Sequence, residues 1–286
     1  MRRPPPPTML GRMGTFVPDP VAMEAALTIL GDADGLLVCA GAGMGADSGL
    51  PTFRGPDGLW RAYPALGRAG LTFTEIANPA AFRATPELAW GFYGHRLDLY
   101  RRTVPHEGFG LLLRLGAAIP RGAFVVTSNV DGHFQKAGFD GDRVFEAHGS
   151  IEHLQCLDDC EGEIWPTGDL RAVVDEDECR LRSPLPLCPA CGAVARPNIV
   201  MFGDWDWNGG RSKAQERALQ AWLDATRRPA VIEIGAGTSI PTVRAFAERR
   251  SDRLIRINPH DAGPPGTCAA LFSSGAVEAL QILCET

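Results

Sequence analysis

Residues suited to chemistry concentrate at two places. The first is Cys39-Ala40-Gly41-Ala42-Gly43-Met44-Gly45-Ala46-Asp47-Ser48-Gly49-Leu50-Pro51-Thr52-Phe53-Arg54-Gly55, directly after the apolar run Gly35-Leu36-Leu37-Val38. Closely spaced glycines after a strand let backbone N–H groups approach a diphosphate with no Cβ in the way. Gly41, Gly43 and Ala46 fit the dinucleotide-binding spacing G-x-G-x-x-G/A. Glycine-rich turns also arise for purely steric reasons, so the spacing alone decides little. The polar and aromatic continuation through Ser48, Thr52, Phe53 and Arg54 is less ordinary, because a plain dinucleotide-binding unit runs on into a helix there.

The second place is Cys156-Leu157-Asp158-Asp159-Cys160 followed by Cys188-Pro189-Ala190-Cys191. Each short pair can bring two thiolates to one ion, and two such pairs complete a closed, tetrahedral, four-cysteine zinc site. A closed shell has no open position for water, so the zinc is expected to be structural. A redox pair at Cys188 and Cys191, or free thiols, are the alternatives. Cys179 is left over. Cys39, Cys268 and Cys284 sit in apolar contexts that predict buried core positions.

These groups need a frame. The periodicity predicts a helix over 21–30 with Met23, Ala26, Leu27 and Leu30 on one face, then the first strand and the glycine loop. From 56 to 105 only helical patterns appear, broken at Pro64, Pro79 and Pro86, with Glu87 to Arg102 the longest. Further strands are predicted at 123–126, 144–149, 198–203, 230–234, 254–258 and 269–272, and helices at 108–115, 212–227 and 276–283. The segment between Cys156 and Cys191 has no core pattern of its own. Short apolar strands alternating with helices give an α/β fold, a doubly wound parallel Rossmann-like sheet with a smaller zinc-binding and helical insertion module. The expected division is a Pro-rich tail at 1–20, a sheet domain from 21–60, 106–152 and 196–286, and a small domain from 61–105 and 153–195. Ligands bind at the carboxyl ends of such strands. Here those ends carry Thr127-Ser128-Asn129-Val130-Asp131, His148-Gly149, Gly237-Thr238-Ser239 and Asn258, which tight turns alone do not explain.

Composition narrows the classes. A chain of 286 residues with 45% hydrophobic and 22% charged residues is ordinary for a globular protein, and its net charge of −6 argues against a nucleic-acid surface. No apolar stretch approaches the roughly 20 residues of a membrane span, and the N-terminus lacks the apolar core of a secretory signal. Eight cysteines are too few for a disulfide scaffold, so a reduced, cytoplasmic protein is expected, working as a monomer with the oligomeric state otherwise open. A nicotinamide dehydrogenase is disfavoured. It needs an acidic residue about 20 positions beyond the glycines, and Trp60 to Leu66 offers neither an apolar strand nor a suitable carboxylate.

Together these residues resemble the sirtuins. Gly41-Ala42-Gly43 with Ser48 to Gly55 is similar to the family's first signature, Thr127 to Asp131 to the second, and His148-Gly149 to the third. The paired cysteines, Phe202-Gly203, Gly237-Thr238-Ser239 and Ile257-Asn258 follow in the family's order, covering about residues 21–286. The resemblance implies NAD-dependent removal of acyl groups from lysine side chains of a protein substrate, with structural Zn2+. His148 would act as general base on a ribose hydroxyl, a role suited to imidazole. Asn129, Asp131 and Ser128 would line the nicotinamide and ribose site under Thr52, Phe53 and Arg54. Gly41, Ala42, Gly43, Gly237, Thr238, Ser239 and Asn258 would hold phosphate and adenosine. Val200, Phe202, Gly203 and Asp204 would meet the substrate backbone by strand addition. Tyr93 and Arg96, one helical turn apart, resemble the pair with which class III sirtuins bind succinyl and malonyl groups, a sensible carboxylate receptor. The sequence departs from the family at Gly45, Ser128, His133 and Asp204-Trp205-Asp206-Trp207. The second reading is therefore an ADP-ribosyltransferase or NAD hydrolase on the same scaffold.

Overall fold

Six short strands line up in parallel because the chain supplies six apolar runs joined by crossovers, most of which carry a helix back over the sheet. The computed structural model describes residues 16–52, 55–160 and 162–285. Its strands β1 (Gly35–Ala40), β2 (Ala123–Thr127), β3 (Val144–Glu146), β9 (Pro229–Ile234), β10 (Leu254–Ile257) and β11 (Ala270–Phe272) form one sheet in the order β11-β10-β9-β1-β2-β3. Every neighbouring pair is parallel. This is the doubly wound order, and its reversal falls between β1 and β9, the two strands that end in glycine loops.

The period of two along β1 divides the core. Leu36, Val38 and Ala40 face helices α1 (Pro20–Gly31), α7 (Glu107–Ala117) and α11 (Ala276–Glu285). Leu37 and Cys39 face Trp222 of α9 (Gly210–Ala225) and Val243 of α10 (Thr242–Glu248). Both faces of β1 are fully buried, so alternation in its sequence is absent, as a strand covered on two sides requires. In α1 the inward face is Ala22, Ala26 and Ile29, rotated from the expected one. Asp19 caps the helix one residue earlier, and Phe16 already sits beside Phe272, at 6.2 Å between ring centroids. Residues 1–15 of the expected tail lie outside the described residues.

A second body forms around one apolar cluster. It joins α2 (Gly55–Ala62), α3 (Pro64–Arg68), α4 (Phe73–Ile76), α5 (Pro79–Ala84) and α6 (Pro86–Arg102) to an antiparallel sheet of β4 (Gly149–Cys156), β5 (Ile164–Pro166) and β8 (Ala195–Ile199), and to the hairpin of β6 (Val174–Asp175) and β7 (Arg180–Leu181). The short helix α8 (His133–Lys136) follows β2. Two expectations change here. The run beginning at Asn198 does not resume the parallel sheet, because β8 pairs antiparallel with β4. The cysteine-rich segment also has a core, supplied by Leu154, Leu181, Ala195 and the helical block. In α6, Gly91 and Gly94 exist for contact: a Cβ would lie 2.0 Å from the Cys179 carbonyl at Gly91 and 2.5 Å from Ala172 at Gly94. Cys39 is buried as expected, whereas Cys268 is half-buried and Cys284 is exposed, because α11 turns that side of its last turn outward. No helix among the described residues is long and apolar enough to cross a membrane.

One ion pair is buried inside the sheet. Glu233 of β9 and Arg256 of β10 stand in register and share a bidentate contact at 3.0 and 2.9 Å, with neither side chain exposed. Arg256 also reaches Glu248 at 2.7 Å and the Ala262 carbonyl at 2.9 Å. Burial pushes the Glu233 carboxyl up while Arg256 pulls it down. Removing one member leaves the other charge uncompensated. Glu233→Ala is expected to destabilise the protein by about 3–5 kcal/mol, read by chemical denaturation, and an unchanged midpoint would contradict this role.

Candidate active site

The glycine loops of β1 and β9 meet backbone to backbone. Gly41 N donates to Ile234 O at 2.9 Å and Gly43 N to Gly235 O at 3.0 Å. A Cβ on Gly41 would lie 2.6 Å from Ala236 Cα, and one on Gly43 2.6 Å from Gly235 Cα. Gly235 itself has φ +58°, and a Cβ there would lie 2.4 Å from Gly43 Cα. This closeness forms a cradle that side chains would fill, and beyond it Gly237 faces open space beside the exposed Thr238 and Ser239. The cradle suits a dinucleotide pyrophosphate. At Gly45 a Cβ would come within 3.1 Å of Leu50 Cδ1, which would have to give by a few tenths of an ångström to admit it. Thr52 is half-buried at the loop's end, and Phe53 and Arg54 lie outside the described residues.

His106, which carried no signal in the sequence, braces the loop. Its Nδ1 accepts from Gly108 N at 3.0 Å, so Nε2 carries the proton and donates to Met44 O at 2.8 Å. Its own N–H donates to Ser48 Oγ at 3.0 Å.

The polar residues after β2 are locked to the same loop. Thr127 Oγ1 donates to Ala40 O at 2.9 Å and accepts from Asn129 N at 3.0 Å, while Asn129 Nδ2 donates to Gly41 O at 3.0 Å. Ser128 N donates to Ala40 O at 3.2 Å. Asp131 Oδ1 accepts from His133 N at 2.9 Å, across a turn that needs Gly132 at φ +69°. Burial pushes the Asp131 carboxyl up, against the pull of His133 and Arg96. Asn258 is fully buried, its Nδ2 donating to Ala236 O at 3.0 Å and its Oδ1 accepting from His260 N and Asp261 N. Its amide frames the cradle's rim.

His148 follows β3 at the meeting of the two bodies. Ala147 N donates to Thr127 O at 2.8 Å, and Val200 N donates to His148 O at 3.0 Å. The imidazole Nε2 lies 3.2 Å from Thr242 Oγ1, a partner from the opposite half of the sheet. Burial holds His148 below the ordinary imidazole value, opposed by its contact with the Ser128 backbone. Gly149 is fixed by φ +81° and by the Asn198 carbonyl, only 2.1 Å from where a Cβ would stand.

Tyr93 and Arg96 come together in the core of the second body. The Arg96 guanidinium lies 5.3 to 5.5 Å from the ring centroids of Phe92, Tyr93 and Tyr100, and donates to Tyr100 Oη at 3.0 and 2.8 Å. Burial pushes the Tyr93 hydroxyl up to about 12. His133 Nε2 lies 3.2 Å from Tyr100 O, so the Arg96 helix is tied to the Asp131 turn. In the loop after β8, Phe202 N donates to Ala77 O at 2.9 Å, Phe202 meets Phe73 edge-on at 5.7 Å, and Gly203 has φ +63°. Asp204 departs from the expected role. Its carboxylate is fully buried in a bidentate pair with Arg196 at 2.8 and 2.7 Å, and it also accepts from Met201 N. The side chain therefore holds the loop instead of reaching a ligand.

Cys156, Cys160, Cys188 and Cys191 place all four sulfurs within 4.8 Å of one another, and Cys179 is buried elsewhere. Cys156 and Cys191 are 3.7 Å apart, Cys160 and Cys188 3.6 Å, against the roughly 3.8 Å that tetrahedral zinc thiolates require. N–H groups of Cys191 and Ala190 pull the Cys188 thiol down to about 7. The donor set fits zinc.

Residues 41–226 match the Sir2 family, a span holding the glycine loop, His148 and all four paired cysteines. The chain belongs to the Sir2 family. The NAD-dependent protein deacylase of Aquifex aeolicus (strain VF5) is 31% identical over 79% of this chain and 84% of its own length. That of Thermus thermophilus is 31% identical over 91% and 93%. Among solved structures, a mutant Sir2 homologue complexed with ADP-ribose superposes with a TM-score of 0.64 at 25% identity, covering 91% of this chain and 94% of that one. A Sir2 homologue–NAD complex shares the fold with a TM-score of 0.66 at 24% identity, over 92% of each chain.

In this sirtuin, sequence reasoning missed Thr242, His106 and Tyr100. The first follows Pro241 at a helix start, and the others are single residues whose partners lie far away in the chain. Because burial depresses the His148 pKa, its neutral, proton-accepting form persists into mild acid. The acid limb of kcat/KM against pH is expected below about 6.5, and a limb at or above that value would contradict the burial. The chain should also carry one zinc by elemental analysis. Cys160→Ser should lose it with a marked drop in melting temperature, and an unchanged metal content would refute the four-sulfur site.

Proposed function

We propose that this sirtuin is an NAD-dependent protein lysine deacylase whose acyl pocket favours acidic chains. The observation that carries the reading is His148, a half-buried imidazole just after β3 whose Nε2 lies 3.2 Å from Thr242 Oγ1 and whose pKa burial lowers. NAD supplies the ADP-ribosyl group that takes the acyl oxygen as nicotinamide departs. Gly41, Ala42, Gly43, Gly237, Thr238 and Ser239 would hold its phosphates and adenosine, within the rim framed by Asn258. Asn129, clamped to Gly41 O, lines the nicotinamide side together with Ser128 and Asp131. Thr52, Phe53 and Arg54 would cover it. His148 would accept the proton of a ribose hydroxyl, which lets that oxygen attack the acyl carbon; the acyl carbon–nitrogen bond breaks, the free lysine amine leaves, and one water is taken up overall. The backbone from Val200 through Phe202 and Gly203 adds the substrate peptide as a strand.

Arg96 supports the acidic preference. A carboxylate at the end of an acyl chain gains a charge-assisted hydrogen bond from a buried guanidinium, with the Tyr93 hydroxyl beside it, whereas an acetyl group gains nothing.

The test is incubation with NAD and acetyl- or succinyl-lysine peptides, with products weighed by mass spectrometry. O-acyl-ADP-ribose is the expected product. Free ADP-ribose with the acyl-lysine intact would favour NAD hydrolysis, and mass added to the acceptor protein would favour ADP-ribosyl transfer. His148→Ala should lower deacylation at least about a hundredfold. Arg96→Met should reduce the succinyl-to-acetyl ratio of kcat/KM by about tenfold or more, and an unaltered ratio refutes the acidic pocket.

A further inference from the structure

Trp205 is 95% exposed, yet the loop that carries it is firmly held. Asp204 is buried on Arg196 on one side of it. On the other, Gln155 Nε2 donates to Asp206 O at 2.9 Å, while Gln155 Oε1 accepts from Asn208 N at 3.2 Å and Asn198 Nδ2 at 2.9 Å. Asn198 Nδ2 also donates to Asn208 O at 2.9 Å, and Asn208 Nδ2 to Gly162 O. A buried ion pair and a buried amide cluster thus fix the backbone on both sides of an indole that projects into water. Tryptophan normally buries roughly 150–250 Å2, so this placement forgoes a large apolar contribution to folding.

Asp206 follows Trp205 in the chain with its side chain 60% exposed, and it shares Arg83 with Asp158, whose side chain is 57% exposed. Arg83 lies between them, 2.6 Å from Asp158 but only loosely in contact with Asp206 at 3.5 Å. The pair already accommodates one guanidinium, and Asp206 keeps oxygen lone pairs for a second cation. Gly203 is two residues away, so the Trp205 Cα stands within about 7 Å of the backbone that the proposed function assigns to the substrate.

We propose that Trp205 and Asp206 select protein substrates carrying an arginine or lysine close to the acyl-lysine, the cation stacking on the indole while the carboxylate faces its charge. The inference rests on the proposed reading of Phe202-Gly203 as the substrate strand. A partner of this chemistry also complements the chain's net charge of −6.

The test compares matched acyl-lysine peptides differing only in flanking arginine, alanine or glutamate, assayed with the full chain and NAD. Arginine is expected to raise kcat/KM about two- to fivefold over alanine, chiefly through KM, with glutamate below alanine. In Trp205→Ala the arginine-to-alanine ratio should fall to near one, Trp205→Phe should restore part of it, and Asp206→Asn should weaken it and its salt dependence. Equal turnover of the three peptides by the native chain, or an unchanged ratio in Trp205→Ala, overturns the proposal. If no peptide is deacylated, the deacylase reading fails separately. Calorimetric binding of the same peptides then decides this one, with arginine-selective binding lost in Trp205→Ala supporting it and unselective binding refuting it.

Discussion

The close approach of Gly41 and Gly43 to Gly235 is the contact on which the site depends. Parallel strands β1 and β9 already stand side by side, but their loops could touch only where no Cβ intervenes. Once they touch, both halves of the doubly wound sheet present their ends to one crevice. Asn129 then clamps to Gly41 O from the β2 side, and Asn258 to Ala236 O from the β10 side. His148 and Thr242 complete the enclosure, each reaching across from a different half. A methyl group at either loop glycine would separate the strand ends and loosen all of these contacts together.

Two buried ion pairs hold the flanks of the cleft. Glu233 and Arg256 tie β9 to β10 beneath the cradle, and Arg244 adds contacts to Ala236 O and Asp261. In the second body Arg196 and Asp204 do the same for the loop after β8. Desolvating both charges of such a pair is expensive, and apolar replacements of similar volume are often as stable. What the bidentate geometry supplies here is a single arrangement for loops that have little apolar material of their own.

Helix α6 links the core of the second body to the loop after β2. Its glycines let the β6–β7 hairpin sit directly on it, and Arg101 anchors its end to Glu152 of β4 through paired contacts of 2.9 and 2.6 Å. Between these anchors the helix carries Tyr93, Arg96 and Tyr100, and Tyr100 O meets His133 two residues after Asp131. The Tyr93, Arg96 and Tyr100 cluster and the Asp131 turn are therefore tied through one helix.

Much of this was legible in the residues alone. Apolar runs with glycine or polar ends defined the parallel sheet, because a strand buried on two faces needs a continuous apolar sequence and a loop near phosphate needs glycine. Paired cysteines defined a metal site, because thiolates at short spacing have few other uses together. The helix from Pro86 to Arg102 was equally plain, with prolines and charges marking its ends. Tertiary structure alone decided the rest. The antiparallel pairing of β4 with β8, the inward turn of Asp204 and the core under the cysteine segment all depend on partners brought in by the fold. Thr242 and His106 matter through single hydrogen bonds to distant parts of the chain. Local sequence determines periodicity, caps and ligand sets, whereas long-range partners are fixed only when packing brings distant segments together and buried polar groups must find one another.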